Sequence, residues 1–190
     1  MTTLKILDVS NDCMVGDNGI KNINLIKLDA SDNPLITNVN HMSNLRELIA
    51  TGHCMIADNG IKHINLIKLN ASNNPRITNV NHMSNLQELV AFGNCMIADD
   101  GIKHINLIKL NATNNSRITN VNHMSNLREL NASYYSGIGN CGIRDLKLDK
   151  LESENNQKIY PIVSGWKNVL TFTSITLYFL YNFFIASKPI

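Results

Sequence analysis

The first thing this sequence lacks is an excess of one charge. Lys and Arg number 17 against 15 Asp and Glu in 190 residues, a net of +2 at pH 7. Nucleic-acid binding needs basic side chains clustered on one face, and the longest basic feature here is one residue wide. A secretory leader is also missing, since MTTLKILDVSNDCMVGD has no basic start followed by an apolar stretch. No H-E-x-x-H, G-x-S-x-G, P-loop or dinucleotide fingerprint occurs, so no catalytic role is expected. Cysteines are few. Cys13, Cys54 and Cys95 recur every 41 residues and Cys141 stands apart. This usage fits reduced thiols in a cytosol-like compartment. Apolar residues at 44% and charged residues at 17% describe a globular chain rather than a disordered one.

What is present is repetition. Asp17 to Ala57 reads DNGIKNINLIKLDASDNPLITNVNHMSNLRELIATGHCMIA, and Asp58 to Ala98 reads DNGIKHINLIKLNASNNPRITNVNHMSNLQELVAFGNCMIA. A third copy starts at Asp99 and then drifts. Each 41-residue unit splits into a half of 20 residues, starting at Asn24, Asn65 and Asn106, and one of 21, starting at Asn44, Asn85 and Asn126. Both halves carry L-x-x-L-x-A-x-x-(N)-x-x-I. In the first this is Leu25, Leu28, Ala30, Asn33 and Ile36, and in the second Leu45, Leu48, Ala50, His53 and Ile56. Strand residues alternate faces, so Leu28 and Ala30 point inward while Lys27, Asp29 and Ser31 point out. One such coil buries too little apolar surface to offset its own ordering entropy. Stacking on neighbouring coils must supply the rest.

The repeat resembles the leucine-rich-repeat family over roughly residues 3–162. The longer half, C-M-I-x-D-x-G-I-K-x-I, is similar to the cysteine-containing subclass, and the shorter half, N-P-x-I-T-N-V-N-H-M, to compact bacterial-type units. The likeness of unit to unit also resembles repeat proteins of large DNA viruses and amoebae, for which the compartment would be the host cytoplasm. The resemblance implies an α/β solenoid. It would be a right-handed superhelix with a parallel β-sheet on its concave face and short helices or 3₁₀ turns on its convex face. Residues 1–162 would form about eight coils. Ala30, Ala50, Ala71, Ala91, Ala112 and Ala132 replace the family's third leucine, which implies a thinner core along that line.

Particular residues acquire expected roles. Asn33, Asn74, Asn94, Asn115 and Asn156 form a predicted ladder that satisfies backbone groups where the chain turns after each strand. His53 and Tyr135 interrupt it, which predicts local distortion. Asp17, Asp58 and Asp99 are expected to cap short helices, and the shorter half should carry only a tight turn there. Equivalent histidines (His41, His82 and His123, or His63 and His104) lie two coils apart, roughly 10 Å at a strand spacing of about 4.8 Å. Zinc needs donors at about 2.0–2.3 Å, so neither a metal nor another cofactor is expected. Cys13, Cys54 and Cys95 fail the corresponding distance test for disulfides and read as small buried fillers, while Cys141 is left unassigned. The sequons at Asn70, Asn111, Asn114 and Asn131 are expected to be inert.

One outward row reads Lys27, Glu47, Lys68, Glu88, Lys109, Glu129 and Lys150. Its alternating signs predict pairing between adjacent strands. The next rows read Asp29, Ile49, Asn70, Val90, Asn111, Asn131 and then Ser31, Thr51, Ser72, Phe92, Thr113, Ser133. Ile49, Val90 and Phe92 break a polar pattern near the middle, where interface anchors tend to sit. The candidate binding surface is therefore Ile49, Val90 and Phe92 with Glu47, Lys68, Glu88 and Lys109, and its expected partner is another protein.

The ends differ from the middle. Leu4, Leu7, Val9 and Val15 already fit the register. Solenoid ends need covering, and the pattern predicts that a second copy, giving a homodimer, or another partner covers this one. Residues 163–190 form an apolar tail. Asn168 to Ser187 contains no charge and is bracketed by Lys167 and Lys188, with Trp166, Tyr178 and Tyr181 nearby. Its length suits a membrane-spanning tail anchor. TFTSITLY equally suits a cap made of strands, and a degenerate repeat is the third alternative. The function expected from the sequence is a protein-interaction or scaffold module. The alternatives are a tail-anchored structural protein and a duplicated array without specific binding.

Overall fold

A computed structural model describes residues 4–160; the apolar tail 163–190, its charge-free stretch 168–187 and the expected coil limit at Ile162 lie outside the described residues. Among the described residues eight strands of three residues each occur: β1 (Ile6–Asp8), β2 (Lys27–Asp29), β3 (Glu47–Ile49), β4 (Lys68–Asn70), β5 (Glu88–Val90), β6 (Lys109–Asn111), β7 (Glu129–Asn131) and β8 (Lys150–Glu152). They pair in parallel and in sequence order in a single sheet. Parallel neighbours need a crossover, and the remainder of each repeat supplies one. Four of these crossovers carry a four-residue helix: α1 (Asp17–Ile20), α2 (Asp58–Ile61), α3 (Asp99–Ile102) and α4 (Asn140–Ile143). The 20-residue halves make turns instead, such as Met42 N–H to Val39 O at 3.0 Å. The result is an α/β repeat fold of solenoid type.

Register follows the leucines. Leu7, Leu28, Leu48, Leu69, Leu89, Leu110, Leu130 and Leu151 are Cα partners across the sheet. Behind them, Ala30, Ala50, Ala71, Ala91, Ala112 and Ala132 are fully buried, as are Ile36, Ile56, Ile77, Ile97, Ile118 and Ile138. In the coil of β1 the enclosure is weaker: Leu7, Cys13, Val15 and Ile23 are partly buried against the core, and Leu4 and Ile6 are exposed.

Two residues beyond each inward row, the chain turns through a left-handed residue: Asn11, Asp32, Gly52, Asn73, Gly93, Asn114, Tyr134 and Asn155, with φ between 53° and 69°. Gly, Asn and Asp tolerate this region. Tyr134 occupies the slot held by Gly52 and Gly93 without that tolerance.

Hydrogen bonds show why the halves alternate. In even-numbered coils the turn closes early, Asn33 N–H on Ala30 O at 3.2 Å; in the coil of β3 it closes one residue later, Cys54 N–H on Thr51 O at 3.2 Å. The asparagine of each even coil reaches back to the odd coil before it. Asn33 donates to Val9 O and Val15 O at 2.6 and 3.1 Å. Asn115 donates to Ala91 O and Ile97 O at 3.0 and 3.1 Å. Asn156 donates to Ala132 O and Ile138 O at 2.6 and 3.0 Å. One asparagine thus serves two coils. Asn94 is not part of this ladder and corrects the sequence expectation. The one-residue shift of the odd-coil turn puts Asn94, with His53 and Tyr135, on the surface, and Cys95 and Cys54 take the buried place. His53 and Tyr135 accordingly interrupt nothing, and strand pairing runs through both coils without a break.

The acidic residues expected to cap the helices do not cap them and act elsewhere. Gly16, Ala57 and Ala98 hold the N-cap positions, and none makes a side-chain cap bond. Asp58 is the first helical residue, and its carboxylate crosses to the next coil. It accepts the Thr78 and Asn79 N–H groups at 2.8 and 3.2 Å and the Thr78 hydroxyl at 2.5 Å. Asp17 and Asp99 do the same for Thr37 and Thr119. Interfaces from an even to the following odd coil use other groups. Asn40 donates to Asn59 O at 2.7 Å and accepts the His63 N–H at 2.8 Å. Asp32 accepts the His53 N–H at 2.9 Å, which holds the Asp32 carboxyl below its ordinary pKa.

Candidate functional site

The sheet has one face on the core and one open face. The open face is built from the first and third residue of each three-residue strand and from the residue two positions after it. Central leucines are buried while flanking residues are half-buried or exposed, as in Glu47–Leu48–Ile49 and Glu88–Leu89–Val90. Period-two alternation alone produces this. Ile49, Val90 and Phe92 all lie half-buried on the open face. Val90 is the Cα partner of Asn70 on one side and Asn111 on the other, so polar side chains flank it within its row.

The charged row pairs in a specific pattern. Lys27 meets Glu47 at 2.6 Å, Lys68 meets Glu88 at 3.0 Å and Lys109 meets Glu129 at 2.9 Å. Each pair joins an even strand to the following odd strand. Among the described residues no ion pair closes the other spacing, Glu47 to Lys68 or Glu88 to Lys109, although these are also Cα partners. Lys150 turns to Glu152 on its own strand, at 2.6 Å. Hydrogen bonds that Lys27, Lys109 and Lys150 donate to Glu47, Glu129 and Glu152 respectively raise the pKa of each lysine. The row therefore carries little net field through its middle. A shallow depression over β5 to β8 is lined by Glu88, Val90, Lys109, Asn111, Glu129 and Asn131 among others.

Sequence reasoning stopped short at both ends of this face. The row of Asp29 extends to Asp8 on β1 and to Glu152 on β8, and the row of Phe92 ends at Glu154. Stepping back 21 residues from Asp29, or forward 21 from Asn131 and from Ser133, reaches them. Asp8 and Asp29 are Cα partners, so two like charges sit opposite each other. The Ser10 N–H at 3.0 Å holds the Asp8 carboxyl below its usual pKa, and Asp29 accepts the Ser31 N–H and hydroxyl at 3.0 and 2.6 Å. At the other end Asn131 donates to Glu152 and accepts the Thr113 hydroxyl.

Elsewhere the polar groups are absorbed by the fold. His41, His82 and His123 each place Nε2 2.9–3.0 Å from the last carbonyl of the preceding helix, at Ile20, Ile61 and Ile102. His63 and His104 are exposed. Among the described residues no group of three or more His, Cys, Asp or Glu is arranged to hold a metal ion. Burial pushes the Cys54 and Cys95 thiols up to about 11. Cys141 sits exposed in α4. No helix among the described residues is long and apolar enough to cross a membrane. Comparison of the chain with protein-family models, curated proteins and solved structures finds no match.

Proposed function

We propose that this chain is a leucine-rich-repeat module that binds a protein partner on the open face of its sheet, the concave face of a right-handed superhelix. One observation carries the reading: Ile49, Val90 and Phe92 stand half-exposed at the middle of a continuous eight-stranded surface whose other outward positions are almost all polar. A protein contact buries such a patch at its centre and leaves the charged rows as a rim. The repeat spacing and the buried rows of Leu, Ala, Ile and Asn support the family assignment. A scaffold without enzymatic activity fits polar groups that are engaged in holding coil to coil.

The test is partner capture from the native host. Phe92→Ala and Val90→Asp are expected to abolish capture while leaving the melting temperature unchanged, because neither side chain belongs to the core. Capture that survives both changes ends the proposal.

A further inference from the structure

Three positions in one outward row are evenly spaced. Asp29, Val90 and Glu152 are each the third residue of their strands, β2, β5 and β8, and exactly two strands intervene between successive members. At a strand spacing of about 4.8 Å, each interval is about 14 Å and the whole run about 29 Å. The charge along it is uneven. Asp8 and Asp29 face each other as registered partners on β1 and β2, and among the described residues no cation pairs with either. The middle of the row is uncharged, and the Lys–Glu pairs of the neighbouring row balance one another. At the far end Lys150 balances Glu152 and leaves Glu154 in surplus. The open face is thus acidic, apolar, acidic in order, with Phe92 beside Val90 in the centre.

We infer that the open face takes an extended, nine-residue cationic segment of a protein partner, with basic side chains at its first and ninth positions and an apolar side chain at its fifth. This inference rests on the reading of the face as a protein-binding surface. The spacing follows from backbone dimensions. An extended chain rises about 3.4 Å per residue and alternates faces, so only even offsets return a side chain to the sheet. An offset of four covers about 14 Å and an offset of eight about 27 Å, which match the intervals from Asp29 to Val90 and to Glu152. A cation over Asp8 and Asp29 relieves a like-charge contact that costs the free protein stability. A second cation meets the surplus at Glu154, two residues beyond Glu152. The fifth residue packs on Val90 and Phe92 where water is most readily excluded.

The test titrates the full ¹⁵N-labelled chain with three synthetic nonapeptides. The first is Lys-Ser-Thr-Ser-Leu-Ser-Thr-Ser-Lys. The second carries Glu at both ends. The third has the composition of the first but both Lys residues adjacent at the centre and Leu at one end. The first is expected to shift amide signals of Asp29, Val90, Phe92 and Glu152. It should bind roughly tenfold more tightly than either of the others at low salt and lose that margin above about 0.5 M salt, where exposed charges are screened. Asp29→Asn combined with Glu154→Gln should remove the margin in a protein whose melting temperature is not lowered. Equal binding of the three peptides, tighter binding of the acidic one, or no shift on the open face overturns the inference. Loss of partner capture in Phe92→Ala would then still stand for the broader reading, so the two failures are distinguishable.

Discussion

The Asn74 side chain donates to the Ala50 carbonyl oxygen at 2.9 Å, across the boundary between two coils. The same amide group also donates to Ile56 O at 3.1 Å, and its oxygen accepts the Arg76 N–H at 2.8 Å. Ala50 needs this partner because the turn in its own coil closes on Thr51 instead. Asn74→Ala strands two buried carbonyls and an amide, each costing about 1–3 kcal/mol when left unmet. Partial relaxation brings the expected loss to about 3–5 kcal/mol. Asn94→Ala, at a position with the same local spelling, should change stability by less than about 0.5 kcal/mol, as exposed positions do. Urea unfolding of the two variants checks this, and equal losses would restore Asn94 to the ladder.

A pair of identical tetrapeptides gives a second expectation. Asp17-Asn18-Gly19-Ile20 and Asp58-Asn59-Gly60-Ile61 form α1 and α2. A Cβ at Gly60 would lie 2.1 Å from the Thr37 carbonyl oxygen of the preceding coil, whereas at Gly19 the nearest atom would be a Val15 methyl at 2.9 Å. Backbone cannot yield as a side chain does. Gly60→Ala should therefore destabilise by about 1–3 kcal/mol. Gly19→Ala should stay within about 1 kcal/mol of the parent, since Ala's helical advantage offsets a small side-chain shift. Thermal melts of the two single variants decide the matter; matched melting temperatures would refute it.

Thiol chemistry should divide the cysteines by depth. Cys141 is exposed, Cys13 intermediate, and Cys54 and Cys95 are buried. In a disulfide-exchange assay at pH 8, Cys141 should react first and Cys13 more slowly. Cys54 and Cys95 should react only on unfolding, because the thiolate is the reactive form. The same burial links stability to pH. The folded pKa of about 11 lies above the ordinary thiol value of 9.0. Stability carried by the neutral thiols is complete below pH 9 and falls as pH rises toward 11, by on the order of 2–3 kcal/mol per thiol. Cys54→Ala with Cys95→Ala should flatten the loss between pH 9 and 11, and an unchanged profile would sink this account.

Much of the molecule was legible from spacing. The 41-residue period, its division into two halves, the buried leucine row and the outward rows all follow from period-two alternation and repetition. Lys27, Lys68 and Lys109 were legible as one row with Glu47, Glu88 and Glu129. That each lysine pairs with the glutamate of the following strand rather than the preceding one was not. Aligned on Ala91, the motif puts Asn94 in the slot of Asn33, which Cys95 takes in the structure. A shift of one residue in a turn does not change the spelling of the repeat, yet it moves a side chain from core to water. At Asp58 a helix-start acid has two ways to use its oxygens, and its sequence neighbours do not reveal Thr78 twenty residues on.

By itself the sequence determined the stacked arrangement, since no isolated coil of this composition can offset its ordering entropy and only repetition buries the rows of Leu, Ile and Ala. The tertiary structure alone decided which groups join one coil to the next. A hydrogen bond depends on angles and distances of a few tenths of an ångström, and those are fixed only when two coils lie against each other. Gly19 and Gly60 stand in the same tetrapeptide, yet Gly60 meets the Thr37 carbonyl of the coil stacked before it and Gly19 a Val15 methyl of its own coil.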